Sequence, residues 1–487
     1  MTDVVLIHPN GIHGIYGPLG DELVSREQPL WPRLIAGALM YKGIRVRIVD
    51  AECEDLSPSD VAGLVSKWQP KLACIVASGH QPSASTQAMP GARAIAEELT
   101  VSRFPGKIVF MGNHPSALPE RTLAEERCDF VIDGEGPTTI MGLLDDDPLS
   151  EVPGLVWKDD DGTTIKNPAA ALLDIDRDLH GRAWGLLPDP RLYRSHNWQR
   201  WGSSADRSPY AAVHTSLGCP YTCSFCMINV FQHTNRYRMR SPEEVVADFA
   251  MLYDMGVRTF KIVDELFLLN RKHVEKICFE LAGRGFGHDV SIWCYGRTDT
   301  VAPDYLKLIR AAGIDWIALG IESGAAEVRD AARKHLDDEE IESVVRTIEK
   351  AGINVVGNYI FGLPHETKET MEATLRLAQN LNTAHANFYT AMAYPGSRLY
   401  DEALEKGWTL PETWAGYSQH NRHTHPLAVG DLMAHDILGF RDEAFQRYFT
   451  APRYLAQVGQ RFGHAARANI EKMTSYKLKR DLLEVTP

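Results

Sequence analysis

Three closely spaced cysteines are the residues of this chain whose types and spacing point most directly to chemistry. Cys219, Cys223 and Cys226 fall within eight residues and follow the pattern Cys-x3-Cys-x2-Cys. Three thiolates at this spacing can bind three irons of a cubane iron–sulfur cluster and leave the fourth iron without a protein ligand. A substrate or cofactor could then bind that iron, so the spacing predicts a cluster that is also a binding site.

A zinc site is the alternative interpretation of the same triplet. Zinc usually takes a fourth nearby Cys or His, and His214 and His233 flank the cysteines. We favour the cluster because of the spacing and its context. The other cysteines are scattered, whereas disulfide frameworks are typical of short secreted chains. They are Cys53, Cys74, Cys128, Cys278 and Cys294.

Composition, the N-terminal residues and the lengths of the apolar runs argue against several classes of protein. The formal net charge of −13 argues against nonspecific nucleic-acid binding, which needs a basic surface. The N-terminal residues 1–8 resemble a strand rather than a signal peptide, and no apolar run approaches the roughly 18 residues of a membrane helix. We therefore expect a reduced, cytoplasmic chain that binds a small molecule and neither nucleic acid nor membrane.

Two regions of alternating strand and helix patterns must position the cysteines. Residues 1–150 predict a doubly wound parallel sheet in an α/β fold, whose ligand site lies at the carboxyl ends of the strands. Residues 151–210 predict a linker with a polar hairpin near 156–165. The linker is rich in aromatic residues that either pack between domains or cover a ligand. They include Trp184, Tyr193, Trp198 and Trp201.

Residues 211–400 predict a partial barrel of six parallel strands with crossover helices. In such barrels the active site lies at the carboxyl ends of the strands. The cysteine loop follows the first strand, and Asp264 with Glu265, Arg297, and Glu322 with Ser323 follow later strands. Residues 401–487 predict a helical region. Its His-rich loop, residues 420–425, is more typical of a surface loop than of a metal site.

The triplet, with Phe225 before its last cysteine, resembles that of the radical S-adenosylmethionine (SAM) superfamily. The residue segments 261–265, 319–324 and 361–367 also resemble this superfamily. The resemblance implies a 4Fe–4S cluster held by the three cysteines, and SAM bound at the open iron. It implies contacts to SAM from the strand-end residues, of which Glu265 would accept from the cationic amino group. These are Asp264, Glu265, Arg297, Gly320, Glu322 and Ser323.

The first third of the chain resembles the cobalamin-binding domain found in front of such barrels. Residues 112–120 and 133–136 carry this resemblance, which implies cobalamin contacts from loops at the sheet edge. The expected contact residues are Ser78, His80, Gly112, His114, Gly134 and Glu135. The motif Asp-x-His-x-x-Gly, which supplies a histidine ligand in other cobalamin proteins, is not found: His13 is followed directly by Gly14 and has no Asp two residues before it.

The resemblance implies a radical enzyme that takes hydrogen from a small molecule, such as a secondary metabolite in antibiotic biosynthesis. Two fates of the substrate radical stay open: cobalamin-dependent C-methylation, or dehydration, deoxygenation or epimerisation of an (amino)sugar with the cobalamin domain as scaffold. The second needs a general acid, for which Tyr237 is the candidate by position. A non-catalytic iron–sulfur or zinc protein is the third possibility. An external donor, such as a flavodoxin, a ferredoxin or a dedicated reductase, would supply the electron.

Overall fold

Short apolar strands alternate with helices in the first part of the chain, as the sequence predicts. The computed structural model describes residues 2–20, 22–79, 81, 83–201, 203 and 205–484. The first strands are β1 (Val4–His8), β2 (Val46–Asp50), β3 (Leu72–Val76), β4 (Lys107–Met111), β5 (Phe130–Ile132), β6 (Leu155–Lys158) and β7 (Thr164–Lys166). The first helices are α1 (Ile12–Tyr16), α2 (Leu30–Tyr41), α3 (Pro58–Trp68), α4 (Ala84–Val101), α5 (Asn113–Ala117), α6 (Pro119–Glu125) and α7 (Pro137–Leu144).

Strands β1 to β5 form the predicted parallel sheet in the order β2-β1-β3-β4-β5. Alternate side chains of each strand point to opposite faces. Val5 and Ile7 therefore join a core with α3 and α4, while Val4 and Leu6 join a second core with α2 and α7. The sheet continues past residue 150, because the predicted polar hairpin, β6 and β7, pairs antiparallel with β5.

Six parallel strands form the second sheet, in the order β15-β14-β13-β12-β11-β8, and confirm the partial barrel. The strands of this region are β8 (Tyr210–Val213), β9 (Ser216–Leu217), β10 (Arg238–Met239), β11 (Thr259–Ile262), β12 (Ser291–Gly296), β13 (Ile314–Glu322), β14 (Asn354–Phe361) and β15 (His385–Thr390). Helices α8 (Pro242–Asp254), α9 (Arg271–Gly283), α10 (Leu306–Ala311), α11 (Ala326–Ala331), α12 (Asp338–Lys350) and α13 (Lys368–Leu381) connect them. The short pair β9–β10 is antiparallel and brackets the cysteine loop.

The C-terminal part of the chain is helical, as predicted. Its helices are α14 (Arg398–Glu405), α15 (Ala434–Phe449), α16 (Pro452–Phe462), α17 (His464–Ser475) and α18 (Asp481–Glu484). Within the described residues, every helix is too short or too polar to cross a membrane.

Both free edges of the barrel sheet are covered. At the β8 edge, the Gln28 side chain donates to Tyr210 O (2.6 Å) and accepts from Ala212 N (2.9 Å), as a neighbouring strand would. At the β15 edge, the Arg441 side chain on α15 donates to Phe388 O (2.8 Å). The edges, which would otherwise leave backbone groups unpaired, are thus paired by side chains from outside the barrel.

A tryptophan of the linker closes the barrel at the end opposite the cysteine loop. Trp198 is buried and packs against Trp293, Trp316 and His385, at ring-centroid distances of 5.1 to 5.8 Å. These three residues lie near the beginnings of their strands. Trp198 therefore fills the floor of the barrel and also lines the cavity above it.

Candidate active site

One large cavity, of about 960 Å³, lies between the first sheet and the open end of the barrel. All three cysteines of the triplet line it, and so do residues from the carboxyl edge of the first sheet, including His8 and Ser78. Side chains of the C-terminal helices, such as Phe445 on α15, close another part of its wall. The cavity is therefore built by every region of the chain.

Hydrogen bonds fix the conformation of the cysteine loop. The Asn229 side chain accepts from Cys219 N (3.1 Å) and donates to Cys219 O (2.8 Å). Ser224 N donates to Ala332 O, and Leu399 N donates to Ser224 O, which ties the middle of the loop to the barrel. Burial raises the pKa of Cys219 to about 11, so iron must displace a proton to bind there.

The donor set suits an iron–sulfur cluster. Within the part of the chain that the structure describes, no three His, Cys, Asp or Glu side chains converge on a point that one metal ion could occupy. The cysteines of a cubane cluster need not converge, because each binds a different iron. Three thiols on one loop, all facing the same cavity, fit this arrangement.

The adjacent carboxylates Asp264 and Glu265 have different surroundings. Asp264 accepts from Thr215 N (2.6 Å), Thr215 Oγ1 (2.5 Å) and Ser216 Oγ (2.6 Å). Its side chain is buried and does not line the cavity. Our expectation that Asp264 contacts the cofactor is therefore corrected: its carboxylate holds the strand end that leads into the cysteine loop.

Glu265, in contrast, faces the cavity with one free oxygen. Its Oε2 atom is buried and has no hydrogen-bond partner among the described residues. Burial raises the pKa of Glu265 to about 7, because a carboxylate without water around it is costly to ionise. Such a group is ready to bind a cation.

An ion pair that the sequence did not reveal lies at the end of β13. Lys334 Nζ donates to Glu322 Oε1 (2.5 Å), and both side chains line the cavity. A Cβ atom on Gly320 would come within 2.4 Å of Lys334 Nζ, so a larger residue there would push the ends of both side chains aside. Ser323 does not line the cavity, because its Oγ bonds Thr374 Oγ1 (3.1 Å) instead. Lys334 lies in a loop with no recognisable pattern, and no sequence signal identifies it.

Arg297 connects the end of β12 to the cysteine loop. Its guanidinium pairs with Asp299 (2.9 Å), stacks on the Tyr221 ring (3.9 Å to the centroid) and reaches Cys223 Sγ (3.9 Å). It also lines the cavity. The predicted residue therefore lies beside the cysteines, where a positive charge can meet an anionic cluster or a carboxylate.

The candidate general acid Tyr237 lies elsewhere. It does not line the cavity, and burial raises its pKa above the usual value, with a further contribution from the Asp264 charge. A phenol that is buried away from the cavity cannot deliver a proton to a substrate held there. The expected catalytic role of Tyr237 is therefore not supported.

Only one of the described residues expected to bind cobalamin lines the large cavity. This residue is Ser78, and His80 lies outside the described residues. Gly112 allows its backbone to pack closely against Ala77, since a Cβ atom there would lie 2.1 Å from Ala77 O. His114 packs edge-on against Trp414, with ring centroids 4.4 Å apart. The motif at 112–120 thus shapes the domain rather than the cavity.

Gly134 and Glu135 border a separate cavity of about 70 Å³. The carboxylate of Glu135 pairs with Arg238 on β10 (2.5 Å) and accepts from Leu173 N (2.9 Å). These contacts join the first domain to the strand that follows the cysteine loop. The structure therefore gives this segment a role in joining domains and places it away from the large cavity.

The cavity has a first-domain wall, which the sequence predicted at the carboxyl ends of the strands, and a C-terminal wall, which it did not predict. His8, the last residue of β1, and Tyr16, the last residue of α1, line it. His420 lines it too and packs against Tyr16, with ring centroids 5.4 Å apart. His420 is buried enough to lower its pKa to about 3, so our expectation of a surface loop at residues 420–425 is wrong for this residue.

Comparisons with known proteins agree with this arrangement. Residues 213–378 match the family model of the radical SAM superfamily, and residues 17–144 match that of the B12-binding domain. An uncharacterised methyltransferase of Pyrococcus horikoshii is 30% identical over 379 residues, which cover 77% of this chain and 78% of that protein.

Two further similarities extend over almost the whole chain. The anaerobic magnesium-protoporphyrin IX monomethyl ester cyclase of Cereibacter sphaeroides is 28% identical over 461 residues, or 92% of this chain and 70% of that protein. The solved structure of the radical SAM methyltransferase TsrM from Kitasatospora setae, with cobalamin and a 4Fe–4S cluster bound, matches with a TM-score of 0.70. At 17% identity, over 98% of this chain and 99% of that one, this match shows a shared fold.

Proposed function

The chain belongs to the radical SAM enzymes that carry a B12-binding domain, and we propose that it transfers a methyl group to a carbon atom of a small molecule. The family membership confirms the predicted enzyme class and the predicted cofactors, a 4Fe–4S cluster, SAM and cobalamin. Methyl transfer, the residues that carry it and the nature of the substrate are our proposal.

The observation that carries the proposal is the shared cavity. The cysteine loop and the carboxyl edge of the first sheet face the same space of about 960 Å³. A substrate between them would meet both a cluster-bound cofactor and a corrinoid without leaving the protein. This geometry supports a reaction that uses both cofactors on one substrate, and the methyltransferase relative from Pyrococcus horikoshii supports it independently.

Each residue near the cysteine loop has a distinct proposed task. Cys219, Cys223 and Cys226 hold the iron–sulfur cluster. Glu265 accepts from the cationic amino group of SAM, since its free Oε2 faces the cavity and charge-assisted hydrogen bonds are strong. When bound, SAM would supply the radical chemistry that removes hydrogen from the substrate, and cobalamin would supply the methyl group that takes its place.

Two basic residues complete the proposed SAM site. Arg297 and Lys334 line the same end of the cavity, each already paired with a carboxylate of the protein. We propose that they stand beside the carboxylate of SAM, where their positive charges balance it. At the other end of the barrel, the buried Trp198 excludes water from the cavity floor, which protects a reactive species from side reactions.

A non-methylating radical reaction remains the competing proposal, because one relative over most of the chain is a cyclase by name. The two reactions differ in their products. Methyl transfer yields S-adenosylhomocysteine and a methylated compound together with 5′-deoxyadenosine, whereas the competing reaction consumes no methyl group. An external reductase would supply electrons in either case, and we place the enzyme in the reducing cytoplasm.

Anaerobic reconstitution tests the proposal. Protein with iron, sulfide and cobalamin should retain about four irons per chain, as a cubane cluster requires, and should release 5′-deoxyadenosine when SAM and a reductant are added. Cys223→Ala should abolish both, while Cys128→Ser, at a half-buried cysteine outside the cavity, should abolish neither. Loss of activity in both variants, or none in Cys223→Ala, would contradict the cluster assignment.

A search for the methyl acceptor follows from the same reconstituted enzyme. Extracts supplied with SAM carrying a labelled methyl group should contain a labelled small molecule and S-adenosylhomocysteine. Release of 5′-deoxyadenosine with an acceptor present, but without any transfer of label, would contradict methyl transfer and favour the competing reaction.

A further inference from the structure

His8 ends the central strand β1, at a place where doubly wound sheets bind their ligands. The chain runs from β1 to β2 on one side and continues through β3 on the other, so the strand order reverses between β1 and β3. Ligands of such sheets bind outside the carboxyl ends of the strands at this reversal. His8 closes one of the two strands, and Ser78 lies just beyond the other.

The imidazole of His8 is buried but has no bonding partner. It is 3% exposed, and neither of its ring nitrogens has a hydrogen-bond partner among the described residues. Burial of a polar group without a partner is unfavourable, and such groups in native proteins call for an explanation such as a missing ion or ligand. His8 also lines the large cavity, so a ligand there can reach it.

Other histidines near the cavity already have structural roles. His196 pairs with Glu27 and stacks on Trp198, and His385 stacks on the same tryptophan in the barrel floor. His420 packs against Tyr16 from the C-terminal side. His8 differs from these because it belongs to the first sheet itself, at the reversal of strand order.

We propose that His8 is the protein ligand of the cobalt in cobalamin, in place of the histidine that the absent Asp-x-His-x-x-Gly motif would supply. This inference rests on the proposed function, since it requires cobalamin in the cavity. Neutral imidazole is the commonest metal ligand of proteins. Asp50 occupies the paired position on β2, but its carboxylate accepts from Tyr193 Oη (2.8 Å) and Cys53 N (3.1 Å), so both ring nitrogens of His8 stay available to a metal ion.

Electron paramagnetic resonance of the cobalt(II) form tests this assignment without any catalytic turnover. A nitrogen ligand splits the cobalt lines into triplets when it is nitrogen-14 and into doublets when it is nitrogen-15. Protein with all its histidines labelled with nitrogen-15 should therefore show doublets with unlabelled cobalamin. His8→Ala should remove the splitting, whereas the cofactor's own benzimidazole would keep giving triplets.

His13→Ala is the matched control. His13 follows His8 closely in the chain, on α1, but it is half exposed, pairs with Asp55 (3.6 Å) and does not line the cavity. The His13→Ala variant should therefore keep the doublets. His8→Asn should lose them, yet bind cobalamin, which separates metal binding from simple filling of the site.

The outcomes distinguish this inference from the proposed function. Protein that retains cobalamin but shows no nitrogen splitting, or triplets that ignore the label, would overturn the assignment of His8 and leave methyl transfer standing. Protein that retains no cobalamin after reconstitution would count against both. Doublets that survive His8→Ala would assign the ligand to another histidine.

Discussion

Two neighbouring carboxylates show how the environment decides the role of a residue. Asp264 is saturated by three donors from residues 215 and 216, whereas Glu265 keeps a free oxygen in the cavity. We expect Glu265→Gln to weaken the affinity for SAM about 10- to 100-fold, because a hydrogen bond to a charged group contributes about 1.5–3 kcal/mol. Equilibrium dialysis or calorimetry on the reconstituted protein measures this.

Glu265 also predicts that the affinity for SAM depends on pH. The pKa of Glu265 is raised to about 7 by burial, so the fraction of ionised carboxylate falls as the pH drops from 8 to 6. The affinity for the cationic amino group should fall with it, and Glu265→Gln should flatten this dependence. Glu366→Gln is the control, since Glu366 is also a buried carboxyl with a pKa near 7 but lies outside the cavity. Equal effects of both variants would contradict the assignment.

Sequence patterns identified those site residues whose spacing is imposed by the chemistry. The cysteines must be close together on one loop, and Glu265 lies shortly after the end of β11, so both leave a local signal. Lys334 leaves none, because it reaches the site from a loop after α11 and is selected only by its contact with Glu322. Gly112 and His114 mislead for the opposite reason, because their pattern reflects packing against Ala77 and Trp414.

At the scale of elements, the alternation of strand and helix patterns predicted both sheets but not how the edges of the sheets are covered. An edge is closed by contacts between distant segments, such as Gln28 with Tyr210 and Ala212, and periodicity carries no information about them. Gln28→Ala should lower the free energy of unfolding by about 1–3 kcal/mol for each buried backbone group left unpaired. Gln28→Met, of similar shape but without the amide, should lose nearly as much. If the Gln28→Met variant kept full stability in denaturant unfolding, this role of Gln28 would be contradicted.

The floor of the barrel is the second feature that depends on a distant segment. Trp198 comes from the linker, yet it packs against strands β12, β13 and β15. Trp198→Ala should cost about 3–5 kcal/mol of stability, as expected for a large aromatic residue removed from a core. Trp68→Ala, at a half-buried tryptophan of α3, should cost clearly less. Similar losses of the two variants in thermal unfolding would contradict the large contribution of Trp198 to stability.

At the scale of the whole molecule, contacts between the domains contain a titratable pair. His233, after the cysteine loop, pairs with Asp133 of the first domain (2.9 Å), which raises the pKa of His233 above 6.5. This stabilisation is fully present below pH 6.5 and is lost as the pH rises through the raised pKa. Asp133→Asn should therefore destabilise the protein more at pH 6 than at pH 8. The difference should stay below about 1 kcal/mol, since His233 is half exposed. A difference of the opposite sign in unfolding experiments would contradict the pairing.

Because one cavity joins all regions, a ligand bound there should stabilise them together. Its walls include His8 from the first sheet, the cysteine loop, and residues of α15 and α17. We expect cobalamin binding to slow amide hydrogen exchange at residues 8–25 and also at residues 219–231 and 441–478. A ligand that binds only the folded state at about 100 times its Kd adds about 2.7 kcal/mol of stability. Exchange of the far helices α8 and α9 should change only through global unfolding. Protection confined to the first domain would show that cobalamin is held by that domain alone, outside the cavity shared with the cysteines.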